Sequence, residues 1–149
     1  MNTQDFTTAI VVPQTAMEAF NAINNVYGWW TENMEGSSQQ LNDEFTVTFG
    51  DVHVSTQKIT ELTPGKKVVW LITKSRLNFI TNKQEWNGTT ISFDISAKDS
   101  KTEIRFTHHG LVPQIECFNA CSNAWGEYIQ QSLFSLVTTG KGKPTKKEK

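Results

Sequence analysis

The sequence predicts an α+β fold in which an antiparallel sheet wraps around one long C-terminal helix. The segment 102–109 alternates as a half-buried strand does, and from Gln114 the apolar residues change to helical spacing. Between the two, Gly110 and Pro113 end the strand. One side of the strand carries Ile104, Phe106 and His108, and the helical stripe contains Ile115, Phe118, Cys121, Ala124, Trp125, Tyr128, Ile129, Leu133 and Leu136.

The length of this helix determines what it must pack against. Between Gln114 and Gly140 only Gly126 interrupts the helical pattern. A helix of about 25 residues, at about 1.5 Å per residue, is close to 40 Å long and crosses a whole small domain. Such a helix needs a wide apolar surface, which we expect the sheet to supply.

The N-terminal part predicts an edge strand followed by a short helix. In the segment Phe6–Val12, one face would carry Phe6, Thr8, Ile10 and Val12 and the other Thr7, Ala9 and Val11, and Pro13 closes the segment. Thr15 and Glu18 then form a capping-box pattern, and the helix that follows should end near Asn24.

The middle of the chain predicts the remaining antiparallel strands. They cover residues 44–50, 52–62 and 67–73, a segment that ends at Trp86, and residues 89–97. Asn87-Gly88 is typical of a two-residue hairpin and should join the last two. A polar loop over 31–43 precedes them. The helix can cover one face of this sheet, and the other face should meet water or a partner.

Length and charge indicate one domain with a basic end. The chain has 149 residues, which suits a single domain over 1–140. The last nine residues hold five Lys and one Glu, a charge of +4, so a formal net charge of −1 leaves −5 on residues 1–140. We predict that 141–149 is a disordered, solubilising tail. It has no aromatic residue to stack on bases, so nucleic acid is not an expected partner.

No targeting or membrane-spanning segment is visible in the sequence. The N-terminus lacks a basic region followed by an apolar stretch, and nowhere do 18 apolar residues run together. We therefore expect a cytoplasmic protein.

The cysteines predict neither a disulfide nor a metal site. Cys117 and Cys121 stand four apart on the predicted helix, a spacing that does not suit a disulfide within an intact α-helix, so we expect reduced thiols in the core. His53, His108 and His109 show no ligand-like spacing with them, and we predict no metal and no cofactor.

The candidate binding site lies where the inward face of the strands meets the C-terminal helix. His108 is the best candidate for a polar group there, as an acid, a base or a hydrogen-bond donor, or simply as a satisfied core histidine. Indoles combine apolar area with one N–H donor, which suits a ligand of mixed polarity, although core packing would also explain them. The predicted ligand-contacting residues are Trp29, Trp30, Trp70, Phe93, Phe106, His108, Phe118 and Trp125. No phosphate loop, nucleophile elbow or HExxH motif is present, so no catalytic residue is assigned.

Three blocks of sequence resemble a known superfamily. EWNGTTISFDI, TEIRFTHHGLVP and CFNACSNAWGEYIQQSLFSLVTTGKG are similar, in order and spacing, to SRPBCC proteins, and most to bacterial proteins like the activator of heat-shock-protein ATPase. The resemblance covers nearly everything from Phe6 to Gly140. It implies the START-like helix-grip fold, in which a strongly curved antiparallel sheet wraps a long C-terminal helix and leaves a cavity between them.

The resemblance implies several functions. Members of the superfamily carry lipids, bind hormones or plant metabolites, cyclise polyketides or act as co-chaperones in the stress response, and the fold alone does not choose among them. The first hypothesis is a cytoplasmic protein that binds a small lipophilic molecule in the cavity. The second is a co-chaperone-like regulator of a heat-shock ATPase, and the third is a cyclase or dehydratase that uses His108. A homodimer is a further expectation, through the uncovered sheet face or an edge strand such as Phe6–Val12.

Overall fold

Seven strands form one antiparallel sheet in the computed structural model, which describes residues 5–146. The strands are β1 (Phe6–Val12), β2 (Met34–Gly36), β3 (Glu44–Phe49), β4 (His53–Thr63), β5 (Lys67–Leu77), β6 (Thr90–Lys98) and β7 (Lys101–His109). The helices are α1 (Ala16–Asn24), α2 (Val26–Trp29), α3 (Phe118–Glu127) and α4 (Phe134–Thr139), and a π-helical segment, Tyr128–Leu133, joins α3 to α4. These last three elements form one continuous C-terminal helix of 22 residues.

The sheet has the order β1-β7-β6-β5-β4-β3-β2, and each neighbouring pair is antiparallel. β4 and β5 have 11 residues each, and their pairing shifts register at Thr56/Gln57 and at Ile59/Glu61. Such irregularities increase the bend and twist of a sheet. The curved sheet packs against the C-terminal helix and α1, which confirms the predicted α+β helix-grip class.

Helix α1 begins as the sequence predicts. The amide of Glu18 donates to Thr15 Oγ1 at 3.1 Å, and the amide of Thr15 donates to Glu18 Oε1 at 3.0 Å, so the capping box is complete. Ala19, Phe20 and Ile23 form its buried face. Met34–Gly36 lies inside the region predicted as a polar loop and adds a short edge strand, β2, to β3.

The prediction of a hairpin at Asn87-Gly88 is wrong. β5 continues to Leu77, and a loop over 78–89 leads into β6. Gly88 donates to the carbonyl of Ile72 at 2.8 Å, and Ile72 donates to that of Thr89 at 2.9 Å. The Asn-Gly pair therefore lies where β6 begins, while the end of β5 runs past it and stays paired with β4.

The C-terminal helix begins at Phe118, four residues after the predicted start at Gln114. The preceding residues form turns, in which Ile115 donates to the carbonyl of Val112 at 3.0 Å and Phe118 donates to that of Ile115 at 3.2 Å. The Glu85 carboxylate, from the 78–89 loop, accepts hydrogen bonds from the amides of Glu116 at 2.9 Å and Cys117 at 3.1 Å. A side chain that is distant in sequence thus satisfies two amides at the helix start, where the backbone has no internal partners.

Residues 141–146, predicted to be part of a disordered tail, are bound to the body of the protein. The amide of Thr145 donates to the carbonyl of Trp30 at 3.1 Å, and the amide of Glu32 donates to the carbonyl of Thr145 at 2.8 Å. The amide of Lys143 donates to Ser132 Oγ at 2.7 Å. The polar composition of these residues predicted disorder, but their backbone hydrogen bonds hold them against the domain. The rest of the predicted tail, 147–149, lies outside the described residues.

Within residues 5–146, none of the helices has the length and apolar character needed to cross a membrane.

Candidate ligand cavity

A cavity of about 170 Å³ lies between the C-terminal helix, the β3–β4 turn and the 78–89 loop. Its walls are mainly apolar and rich in aromatic rings. The lining residues are Trp30, Phe49, Val52, His53, Phe79, Trp86, Ala120, Cys121, Ala124, Trp125 and Tyr128. An apolar cavity with a few polar groups is the usual form of a small-molecule site.

The mouth of the cavity lies between the helix and two loops. On the helix side it is bounded by Ala120 and Ala124, which are exposed and too small to close the gap. On the loop side, Val52 is 51% exposed and Phe79 is 46% exposed. Exposed apolar side chains that lie together often mark a binding site. Their position at the rim is therefore consistent with an opening through which an apolar molecule enters.

Three indoles form the wall that faces this mouth. Trp30 and Trp125 lie with ring centroids 4.8 Å apart, and Trp86 stacks on Trp125 at 5.9 Å with the planes only 13° apart. Trp30 also stacks on the fully buried Trp70 at 5.8 Å. This stacking fixes the rings in place, and a wall that is already ordered is one that could take up a ligand at a lower entropy cost.

His108 is buried and has both ring nitrogens in hydrogen bonds. Trp125 Nε1 donates to His108 Nδ1 at 3.1 Å, and because an indole can only donate, Nδ1 carries no proton. The proton is then on Nε2, which donates to Thr89 Oγ1 at 2.9 Å, and Thr89 Oγ1 donates to the Trp86 carbonyl at 2.7 Å. Burial lowers the pKa of His108 to about 3, so the ring is neutral at physiological pH. The hydrogen bond to Nδ1 fixes the orientation of the Trp125 indole.

His53 is the histidine that lines the cavity. Its Nε2 lies 2.9 Å from Ser55 Oγ, and its ring makes edge contacts with Trp86 at 4.7 Å and Phe49 at 5.0 Å. Burial lowers the pKa of His53 to about 4. The neutral imidazole gives the cavity a polar group that can accept or donate a hydrogen bond.

Tyr128 closes the cavity toward the C-terminal segment. Its ring lies 6.2 Å from Phe49, and its hydroxyl is hydrogen-bonded to Thr145 Oγ1 at 2.5 Å. Burial raises the pKa of the Tyr128 hydroxyl. Thr145, whose amide donates to the Trp30 carbonyl, therefore also holds the Tyr128 side chain in the cavity wall.

The two cysteines form a disulfide, which corrects the prediction of reduced thiols. Cys117 precedes the first turn of α3 rather than lying inside a helix, and its Cα is 5.6 Å from that of Cys121. The geometric objection to a disulfide applied only to an intact α-helix over both residues. Cys117 is the N-cap residue of α3, and its carbonyl accepts from the amide of Cys121 at 2.8 Å.

The structure places two of the eight predicted ligand residues, Trp30 and Trp125, in the cavity wall. Three others pack together as core, with Trp70 and Phe93 at 5.0 Å and Phe93 and Phe106 at 5.4 Å. The remaining positions are as follows: Trp29 packs edge-on to Phe93, His108 lies next to Trp125, and Phe118 is half-buried at the first residue of α3. Ligand contact by these residues remains a prediction.

Sequence reasoning missed several lining residues, notably Phe49, His53, Cys121 and Tyr128. Tyr128 and Cys121 belong to the predicted helical stripe, so their inward direction was available as a signal. His53 and Phe49 flank a turn, and only the three-dimensional pairing of β3 and β4 brings both rings to the cavity.

Comparison with known proteins shows the fold. No family model and no curated protein matches the chain. The solved structure of the Aha1 dimer from Colwellia psychrerythraea is similar with a TM-score of 0.75 and 23% identity, covering 93% of this chain and 99% of that chain. The protein SSP2350 from Staphylococcus saprophyticus is similar with a TM-score of 0.69 and 12% identity, covering 94% and 96% of the two chains.

CalU16 from Micromonospora echinospora has a TM-score of 0.62 and 9% identity, covering 89% of this chain and 74% of that chain. These likenesses show that the chain shares the fold of these proteins, so the helix-grip fold implied by the sequence resemblance is confirmed.

Proposed function

We propose that this chain is a binding protein that holds a small lipophilic molecule in the cavity between its sheet and its C-terminal helix, without a metal or cofactor. The observation that supports this most directly is an aromatic-lined cavity whose mouth is rimmed by the exposed side chains of Val52 and Phe79. Burial of ligand apolar surface, at about 25 cal/mol per Å², provides the driving force.

The size of the cavity limits the ligand. A dry cavity of about 150 Å³ lined by apolar side chains holds benzene, and the present cavity measures about 170 Å³. One six-membered ring with a small substituent therefore fits inside. A longer molecule, including a lipid, would bury only one end, and the rest of it would extend out of the mouth past Phe79.

The polar groups in the wall limit the ligand further. His53 is the imidazole that lines the cavity, since His108 has both nitrogens occupied by Trp125 and Thr89. A ring that carries one hydroxyl group could bond to His53 while its apolar atoms contact the indoles. We therefore propose that a phenol such as p-cresol binds more tightly than toluene.

A substitution at the mouth tests the proposal. Ala124→Leu adds three carbon atoms at the rim of the cavity, whereas Asn123→Leu adds an apolar side chain to the adjacent exposed position, which does not line the cavity. Calorimetric titration with p-cresol should give binding for the natural protein and for Asn123→Leu, and at least about tenfold weaker binding for Ala124→Leu, about 1.4 kcal/mol.

Toluene and p-cresol compared in the same titration test the polar contact. The hydroxyl should strengthen binding by about 0.5–1.5 kcal/mol, and His53→Phe should remove that difference while keeping a ring in place. If neither probe binds, or if Ala124→Leu and Asn123→Leu bind equally, the proposed site is wrong. Native mass spectrometry of protein purified gently from its host would then show whether any other small molecule is carried.

Location and assembly are separate parts of the proposal. We propose a cytoplasmic protein and a homodimer. The fold shared with the Aha1 dimer supports the homodimer, and β1 and β2 are the edge strands available for pairing. At β1 the Gln130 amide already occupies the carbonyl of Ala9 at 2.8 Å, which leaves less of that edge free. Sedimentation velocity would give a single monomer boundary if the homodimer is wrong.

A heat-shock chaperone remains the alternative partner. The likeness to Aha1 in fold is its support, and it predicts that the purified protein accelerates ATP hydrolysis by the chaperone. Ala124→Leu should leave that acceleration unchanged if the cavity plays no part in it.

A further inference from the structure

The two sulfur atoms of the Cys117–Cys121 disulfide differ in their access to the cavity. Cys121 is part of the cavity wall, near the mouth residue Ala124. Cys117 is 1% exposed and does not line the cavity, and Trp86 Nε1 donates to its Sγ at 3.3 Å. A small molecule that enters the mouth therefore meets Cys121.

We propose that this disulfide is a redox-active site in the cavity wall, which thiols open by attacking Cys121 through the mouth, and that opening it weakens ligand binding. The first part stands on the disulfide and its surroundings alone. The second part rests on the proposed function, because it needs a ligand in the cavity. A disulfide in the proposed cytoplasmic location would meet reducing thiols, and cytosolic disulfides are usually transient or redox-sensing.

The exchange chemistry follows from the two environments. A thiolate forms a bond to Cys121 Sγ, the Cys117–Cys121 bond breaks, and its electron pair leaves on Cys117 Sγ, which then takes a proton from water. Trp86 Nε1–H already points at the departing sulfur and stabilises its negative charge. With a dithiol reductant, the second thiol attacks the mixed disulfide and expels Cys121, so two electrons pass to the protein and the reductant ends as a cyclic disulfide.

Opening the bond affects the cavity through both of its cysteines. Cys121 is part of the wall, and the released Cys117 no longer ties the first turn of α3 to the residues before it. Trp86 contacts Cys117 through its indole nitrogen and stacks on Trp125 at 5.9 Å, so a movement of Cys117 reaches two of the indoles that would hold the ligand.

Thiol mapping tests the site without any ligand. The folded protein is treated with 2-mercaptoethanol in native buffer, the released thiol is trapped with iodoacetamide, and peptides are analysed by mass spectrometry. We expect the mercaptoethanol adduct on Cys121 and the alkyl group on Cys117. We also expect Ala124→Leu to slow the exchange at least about tenfold while Asn123→Leu does not, because exchange rates depend on access. The adduct on Cys117, equal rates in the two variants, or reduction only in urea that unfolds the protein would each overturn the redox site.

Titration with p-cresol tests the coupling to binding. Protein reduced with dithiothreitol should bind p-cresol about fivefold or more weakly than the oxidised protein, within the usual range of coupling between sites. The double variant Cys117→Ala/Cys121→Ala should show the same affinity with and without dithiothreitol. Equal affinity in the two redox states of the natural protein overturns the coupling and leaves the proposed function standing. If p-cresol binds neither state, the proposed function and the coupling both fail, and the thiol map alone decides the redox site.

Discussion

Acidification from pH 7.5 to 5 should destabilise this protein, with His108 as a principal cause. Burial lowers the pKa of His108 from 6.5 to about 3, and a like charge on His109 acts in the same direction. In the unfolded chain the ring binds a proton below pH 6.5, whereas in the folded protein it stays neutral until about pH 3. Between these values the unfolded state holds more protons, so stability falls as pH falls.

The magnitude follows from the width of this window. Each pH unit below the pKa of the unfolded chain lowers the free energy of unfolding by about 1.36 kcal/mol. Because pH 5 lies 1.5 units below 6.5, His108 lowers it by about 2 kcal/mol at pH 5. His53, whose pKa burial lowers to about 4, adds a loss of the same sign. A small domain has only about 5–15 kcal/mol of stability, so this loss is easily measured.

Urea denaturation at several pH values, followed by tryptophan fluorescence, is the assay. His108→Gln is the informative variant, because an amide oxygen can accept from Trp125 Nε1 as Nδ1 does, and an amide does not titrate. Its unfolding free energy should fall by about 2 kcal/mol less than that of the natural protein between pH 7.5 and 5. Identical pH slopes for the natural protein and His108→Gln would refute the reasoning.

Two further substitutions test the contacts around the cavity. Trp125→Phe removes the donor to His108 Nδ1 and leaves a buried acceptor unpaired, so the unfolding free energy should fall by about 1–3 kcal/mol in addition to the loss of ring contacts. A variant as stable as the natural protein in urea would contradict that hydrogen bond. Ser132→Ala removes the hydroxyl that donates to the Trp29 carbonyl at 2.6 Å and accepts from the Lys143 amide at 2.7 Å. Hydrogen exchange at Lys143 and Thr145 should then speed up, and unchanged protection would show that Ser132 does not hold the C-terminal segment.

Local patterns were sufficient for most of the fold. The alternation of β7 places Ile104, Phe106 and His108 on one face, and all three are buried. The Thr15–Glu18 capping box is a signal contained within four residues, and it is confirmed in full. Such elements are predictable because the contacts that specify them are close in sequence.

The parts that sequence reasoning missed depend on contacts between distant residues. Asn87-Gly88 has the composition of a hairpin, but β5 pairs with β4 beyond that point, and this pairing is invisible in the local sequence. The start of the C-terminal helix depends on Glu85, which is 31 residues before Glu116. The expectation of reduced thiols assumed a helix that already covered Cys117, so the later start of the helix affects both predictions about residues 114–121.

The same limit explains the C-terminal segment and the cavity. Residues 141–146 are polar and basic, as a tail would be, yet they are held by the backbone of Trp30 and Glu32 and by the Ser132 hydroxyl. His53 shows no sign of function in the sequence. Only the fold brings it beside Trp86 and opposite the small residues of the helix.

One sequence signal does point to the unusual helix at this site. Buried residues recur at every fourth position: Cys117, Cys121, Trp125, Ile129, Leu133 and Val137. In an α-helix of about 3.6 residues per turn, a residue four positions later lies about 40° further around the helix axis. Over the four steps from Cys121 to Val137 the difference grows to about 160°, so in a regular α-helix the last residues would face away from the sheet. The π-helical segment Tyr128–Leu133 is wound more loosely and returns the later residues to the buried side.

The π-helical segment places two side chains, Tyr128 and Ser132, on successive turns, where they make different contacts. Tyr128, the first residue of the π segment, is in the cavity wall, and Ser132, near its end, is 2% exposed and bonded to the Trp29 carbonyl and the Lys143 amide. Because Tyr128 also meets Thr145, the π segment joins the cavity wall to the C-terminal segment at two points. Segments of this kind often occur at functional sites, and here the four-residue spacing gives the physical reason for its position.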